Sequence, residues 1–163
     1  MLVHGFQNNH STAAIIVMKF AKDTDVSAQQ SRLEIERNVT RWGASRFAYG
    51  TWEKGAIIAF QYRDKQIKFQ LPLPDRSAKE FWYTPTRHTK RTQEAANAAW
   101  EQACRQRWRA LVLSIKAKLE SVETGIESFE TAFMPYVVLP DGKTVAEHVL
   151  PALAKNQLPA LTF

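Results

Sequence analysis

The chain holds a single cysteine, Cys104, in 163 residues, which excludes an intrachain disulfide and a cysteine-built metal cluster. Glycine is scarce as well, at six residues, and none of the six falls in a phosphate-cradling loop or a nucleophile elbow. The four histidines, His4, His10, His88 and His148, are scattered, and no pair has the i, i+4 spacing of a helical zinc site. No apolar run approaches the ~20 residues needed to cross a bilayer, so no membrane partner is expected. Negative charge is in short supply: 16 Asp and Glu face 22 Lys and Arg, for a formal net charge of +6. A balance of that sign points to a polyanionic partner, nucleic acid ahead of an acidic protein. The glutamates 120, 123, 127 and 130 recur at helical steps, but without histidines nearby they read as a solvated stripe. The expectation is a non-enzymatic protein with no catalytic residues, no metal and no cofactor.

Apolar and aromatic residues are plentiful, at 45% and 11%, enough for one folded domain with small appendages. The organising stretch is residues 91–130, which has neither Pro nor Gly before Gly125 and is rich in Ala, Gln, Glu, Arg and Leu. At about 100° per residue, Trp100, Cys104, Trp108, Leu111, Ile115, Leu119, Val122, Ile126 and Phe129 share one arc. Gln102, Arg105, Arg109 and Lys116 are placed nearly opposite. The pattern predicts a long amphipathic helix, capped by Thr92 or Thr89, continuing or restarting after Gly125 and closed by Pro135. Cys104 then reads as a buried thiol in a reducing compartment. Arg107, at the edge of the arc, is expected to pair with Glu34 or Glu36, or else to stack on Trp100 or Trp108.

Upstream, Ser27 and Gln30 have the spacing of a capping box, and Gly43 the place of a helix stop, so a helix is predicted over 28–42. Three alternating segments follow. Phe47, Tyr49 and Thr51 share a face, as do Ile58, Phe60 and Tyr62, then Ile67, Phe69, Leu71 and Leu73. Turns are expected at 53–55, with Gly55 in a left-handed conformation, and at 63–65. Pro72 and Pro74 end the ladder. Residues 75–92 read as a connector, with Phe81, Trp82 and Tyr83 just ahead of Arg87, His88, Lys90 and Arg91. Beyond Pro135 come a short strand over 136–139, a turn at Asp141–Gly142, a helix over 145–150 capped by Thr144 and Glu147, and a loose tail with Leu153, Leu158 and Leu161. The fold class is α+β: a three-stranded antiparallel meander packed by a short N-terminal helix and one long central helix, in the order α-β-β-β-α, with a small C-terminal α/β extension. Residues 1–17 are assigned to an N-terminal arm, dispensable if Met18 is the start, 18–134 to the core domain, and 135–163 to the extension and tail.

The strongest functional signal is the basic connector together with the helix it feeds. Arg87, Lys90 and Arg91 are expected at a helix N-terminus, where free N–H groups favour phosphate. Arg105, Arg109 and Lys116 would extend that positive surface, and Trp82 and Tyr83 offer rings for unpaired bases. A docking surface for another protein is the rival partner class, and Trp100 and Trp108 would suit a homodimer seam.

The order helix, three antiparallel strands, helix resembles the double-stranded-RNA-binding domain, with Lys90–Arg91 where that family places lysines at the start of its second helix. The long helix here is more than twice the usual length, and the 53–55 loop lacks the family's Gly-Pro-x-His type motif. A closer likeness runs through residues 26–36, the run Leu71–Pro72–Leu73–Pro74–Asp75–Arg76, residues 100–111 and residues 138–145. These segments resemble an uncharacterised protein family of tailed bacteriophages, prophages and bacterial mobile elements. The resemblance implies a phage-type protein acting in a bacterial cytoplasm; it carries over no activity and no site.

Overall fold

The structure is a computed structural model that describes residues 24–155; the proposed arm over 1–17 and the tail positions Leu158 and Leu161 lie outside them. Helix α1 spans Ala28–Arg41 and begins as its sequence dictates. The Ser27 hydroxyl accepts from the Gln30 backbone N–H at 3.1 Å, and the Gln30 side chain accepts from the Ser27 N–H at 3.0 Å. Gly43, at φ +91°, ends it. Ser31, Ile35 and Val39 are buried, and Ala28 and Trp42 extend the same stripe at three- and four-residue steps.

Strands β1 (Ser45–Trp52), β2 (Gly55–Tyr62) and β3 (Lys65–Pro72) form one antiparallel sheet in the order β1-β2-β3. Ala56, Ile58 and Phe60 lie opposite Leu71, Phe69 and Ile67, and all six are buried. Directly opposed residues share a face, so the register alone builds the inner wall of the core. β1 is the exposed edge. A bulge between Ser45 and Ala48, with Arg46 at φ +52°, interrupts its pairing with β2. Tyr49, expected on the buried face, does lie opposite Ile58 but is 56% exposed on this edge strand, none of whose residues is buried. Arg32 covers it at 4.5 Å and also lies 5.5 Å from the Trp108 ring.

Gly55 departs from expectation: it is the first residue of β2 and is not left-handed. Its lack of a Cβ serves a close contact instead, since a methyl there would sit 2.4 Å from the Trp52 ring.

Helix α2 (Lys79–Trp82) is a single turn inside the stretch read as connector. Helix α3, Gln93–Glu123, starts where Thr92 accepts from the Ala95 N–H at 3.2 Å. Trp108, Leu111, Val112, Ile115 and Leu119 are its buried face. They join Ile35 and Val39 of α1 and the sheet in one cluster. The helix stops at Gly125, φ +74°, and does not carry on: Ile126, assigned to the apolar arc, is 78% exposed. A separate helix α4, Phe129–Phe133, is capped by Ser128. Its rings close the core, Phe129 stacked on Tyr62 at 3.8 Å and Phe133 edge-on to Phe60 and Phe69.

Pro135 falls inside a 3-10 turn, Met134–Tyr136. The strand expected over 136–139 is reduced to single bridges: Ile67↔Val137 fastens the C-terminal extension to the free edge of β3, and Val138↔Thr144 closes the extension on itself. Helix α5 runs Val145–Ala154 from the Thr144–Glu147 capping box. It therefore passes through Pro151, where it was expected to have ended. Pro151 removes its own N–H from the ladder and crowds the Glu147 carbonyl, yet the turn beyond it persists to Ala154.

Candidate nucleic-acid interface

The basic connector is a hairpin set between α2 and α3. Tyr83 and Lys90 bridge antiparallel. The Thr84 N–H donates to the Thr89 carbonyl at 2.9 Å, the Thr89 N–H to the Thr84 hydroxyl at 3.0 Å, and the His88 N–H to the Thr84 carbonyl at 3.0 Å. His88 takes φ +47° to close the turn. Thr84 and Thr89, the latter also a candidate cap for the long helix, are thus the clasp of the loop, and they hold Arg87 and His88 at its exposed tip.

Arg91 anchors the base. Its Nη1 donates to the carbonyls of Glu80 and Phe81, both at 3.1 Å, and its N–H to the Trp82 carbonyl at 2.8 Å. A cation on the carbonyl end of a helical turn satisfies groups the turn leaves unpaired. Arg91 therefore reaches back to α2, away from the N-terminus of α3. Between α2 and the hairpin lies an open groove of about 660 Å³, lined by Lys79, Glu80, Tyr83, Pro85, His88 and Arg91. Among the described residues no carboxylate pairs with Lys79, Arg87 or Lys90, and all three are exposed. Lys79 belongs to this cluster although no motif or periodicity singles it out. It enters through α2, a turn too short to show periodicity.

The cations along α3 are placed differently. Arg109 pairs with Glu34 at 2.6 Å and Lys116 with the other oxygen of the same carboxylate at 3.1 Å. Arg105 donates to the Gln102 side chain at 2.9 Å. The expected basic face opposite the core is instead the seam with α1. The cause is Val112, fully buried, which widens the apolar arc toward Arg109 and Lys116, so that they flank it. Burial pushes the Glu34 carboxyl up, and the hydrogen bonds from Lys116 and Arg109 together outweigh it and hold the group below its usual range. Of the two partners expected for Arg107, Glu34 is thus taken by other cations, and no ion pair joins Arg107 to Glu36 among the described residues. The two expected stacking contacts are also made by other arginines, Arg76 over Trp100 at 5.3 Å and Arg32 over Trp108.

Of the rings ahead of the hairpin, Phe81 is buried, and the half-buried Trp82 donates its indole N–H to the Arg76 carbonyl at 3.2 Å. Tyr83 stays 40% exposed. Trp100 donates to the Pro74 carbonyl at 2.8 Å, and Trp108 is 2% exposed within the intrachain core, which leaves no dimer seam at Trp108.

The remaining chemistry is sparse. Burial, aided by Glu101, pushes the Cys104 thiol up to about 11, which keeps it out of the thiolate form a nucleophile needs. Among the described residues no three His, Cys, Asp or Glu side chains gather as a metal site. The glutamate row is dispersed, Glu127 accepting from Ser121 at 2.7 Å and Glu130 standing 4.0 Å from Arg63. No described helix is long and apolar enough to cross a membrane. Comparison of the chain with protein-family models, with curated proteins and with solved structures returned no match.

Proposed function

We propose that the protein is a non-enzymatic nucleic-acid-binding protein of phage replication, recombination or genome handling, working in a bacterial cytoplasm and of the phage-type family its sequence resembles. The observation that carries this is the clasped hairpin, which projects Arg87 and Lys90 beside Lys79 without a carboxylate partner among the described residues. Uncompensated cations on a rigid projection meet phosphate at little ordering cost. Fluorescence anisotropy with labelled oligonucleotides tests it. Three phosphate contacts imply an affinity loss of about 20-fold for single strands, and about 40-fold for duplex, between about 50 and about 200 mM salt. The double reversal Arg87→Glu with Lys90→Glu should weaken binding and reduce that salt effect to about threefold. Unchanged affinity and slope would refute the assignment.

A second reading, a protein-binding module acting on a host defence or replication protein, is favoured by α5. Val149, Leu150 and Leu153 are 45%, 59% and 41% exposed there, a larger apolar stripe than a solvated helix carries. Its test is a host-lysate partner that survives nuclease treatment and is lost with Leu150→Asp.

A further inference from the structure

We infer that the hairpin interface takes single-stranded nucleic acid, seating one unpaired base against Tyr83 in the groove while the neighbouring cations hold its phosphates. This rests on the nucleic-acid reading above and adds the strandedness and the base contact. Of three consecutive rings, two are committed to the protein itself, Phe81 to the core and Trp82 to the Arg76 carbonyl. Only Tyr83 is presented, and it lines a concavity of about 660 Å³, within the ~300–1,000 Å³ of ordinary ligand sites.

The groove combines two chemistries that a duplex cannot use together. Tyr83 and Pro85 make an apolar wall, and Lys79 and Arg91 line the same groove. Lys90 lies opposite Tyr83 across the bridge. A duplex keeps its bases paired and stacked and offers the groove only phosphate and sugar, leaving the wall against water. A single strand offers a base face for the ring and phosphate for the cations at once. Glu80 is the one carboxylate in the wall, and it favours the donor edge of a base over a second phosphate. The site is also held in shape before any ligand arrives. Arg91 is pinned to two carbonyls, and the Thr84–Thr89 clasp fixes the loop, which limits the ordering cost of binding. The contacts read backbone and ring faces, so DNA and RNA share this chemistry, and separate arms of the test distinguish them.

The experiment uses the full chain with labelled dT and rU oligomers, a duplex, and an abasic single strand that keeps the phosphates without the bases. The expected result is preference for dT or rU over duplex and abasic strand. Tyr83→Leu should weaken binding of base-bearing single strands by about 5- to 100-fold, leaving the abasic strand and the duplex unmoved, and Tyr83→Phe should bind as the parent does. The abasic comparison needs no variant and so does not depend on how Tyr83→Leu folds. If Arg87→Glu with Lys90→Glu abolishes binding while abasic and base-bearing strands bind alike, the base contact is overturned and the nucleic-acid reading stands. Equal or tighter binding of duplex overturns the strandedness. No binding of any oligomer at about 50 mM salt removes both.

Discussion

Glu34 is the hinge between the charge of this protein and its stability, and Glu34→Gln separates the two. The carboxylate takes Arg109 at 2.6 Å and Lys116 at 3.1 Å across the α1–α3 seam. Side-chain exposure decides what each bond is worth: 30% for Glu34, 23% for Arg109 and 49% for Lys116. The Lys116 pair is close to an ordinary surface bridge, near the bottom of the ~0.2–1 kcal/mol range. The Arg109 bond is a charge-assisted one partly withdrawn from water and sits toward the ~1.5 kcal/mol of hydrogen bonds to charged groups. Glutamine keeps one acceptor and loses the charge, so the substitution should destabilise by about 1–1.5 kcal/mol. For a chain of this length that lowers Tm by about 2–6 °C. The deficit should shrink at about 0.5 M salt, where exposed charge is screened. Glu36→Gln is the control, since no ion pair to Glu36 occurs among the described residues. Thermal melts of the three proteins at two salt concentrations make the comparison. If Glu34→Gln melts no lower than Glu36→Gln, the seam is not held as described. Oligonucleotide binding by the same variant carries a second result. Releasing Arg109 and Lys116 adds two free cations on the α1–α3 seam, so affinity rises if that seam touches nucleic acid and stays put if the hairpin binds alone.

Two further predictions concern the body of the fold. Gly55→Ala would place a methyl 2.4 Å from the Trp52 ring, so it should cost about 1–2 kcal/mol; in a Trp52→Ala background the same change should be neutral or stabilise by about 0.5 kcal/mol, because Gly55 is not left-handed, and equal costs in both backgrounds by urea melts would refute the contact. The Thr144 N–H, the Thr144 side chain and then Lys68 hold Glu147 down from 4.5 to about 2; a carboxyl depressed in the folded state stabilises above its unfolded value, so this contribution is intact above about pH 4.5 and lost as pH falls toward 2, and Glu147→Gln should flatten the acid limb of a stability–pH curve while a limb unchanged by it would refute the assignment.

Much of the body was legible because its signals are local. The Ser27–Gln30 and Thr144–Glu147 boxes act within one turn, and the alternation of Ile58–Phe60 and Ile67–Phe69–Leu71 sets both face and register. What escaped depends on contacts distant in sequence or on a break in period. Gly125 ends α3 before Ile126 can use its place on the arc. The bulge at Arg46 and the edge position of β1 leave Tyr49 and Thr51 exposed although they lie opposite buried Ile58 and Ala56. The hairpin over 83–90 is held by backbone bonds and by Arg91, and neither leaves a periodic trace.

The same distinction governs the interface. A charge count treats every cation alike, whereas folding spends some on the protein itself. Arg91 satisfies the carbonyls of α2, Arg105 meets Gln102, and Arg109 and Lys116 meet Glu34. Around the hairpin, Lys79, Arg87 and Lys90 have no carboxylate partner among the described residues, and Lys79 lines the groove together with Tyr83. A surface running the length of α3 would cover many phosphates and bind with a steep salt dependence. Three exposed cations on α2 and the hairpin would instead cover a few nucleotides and give a shallow one. The net charge of +6 therefore overstates what any one surface can offer a partner, because Arg91, Arg105, Arg109 and Lys116 are engaged within the fold.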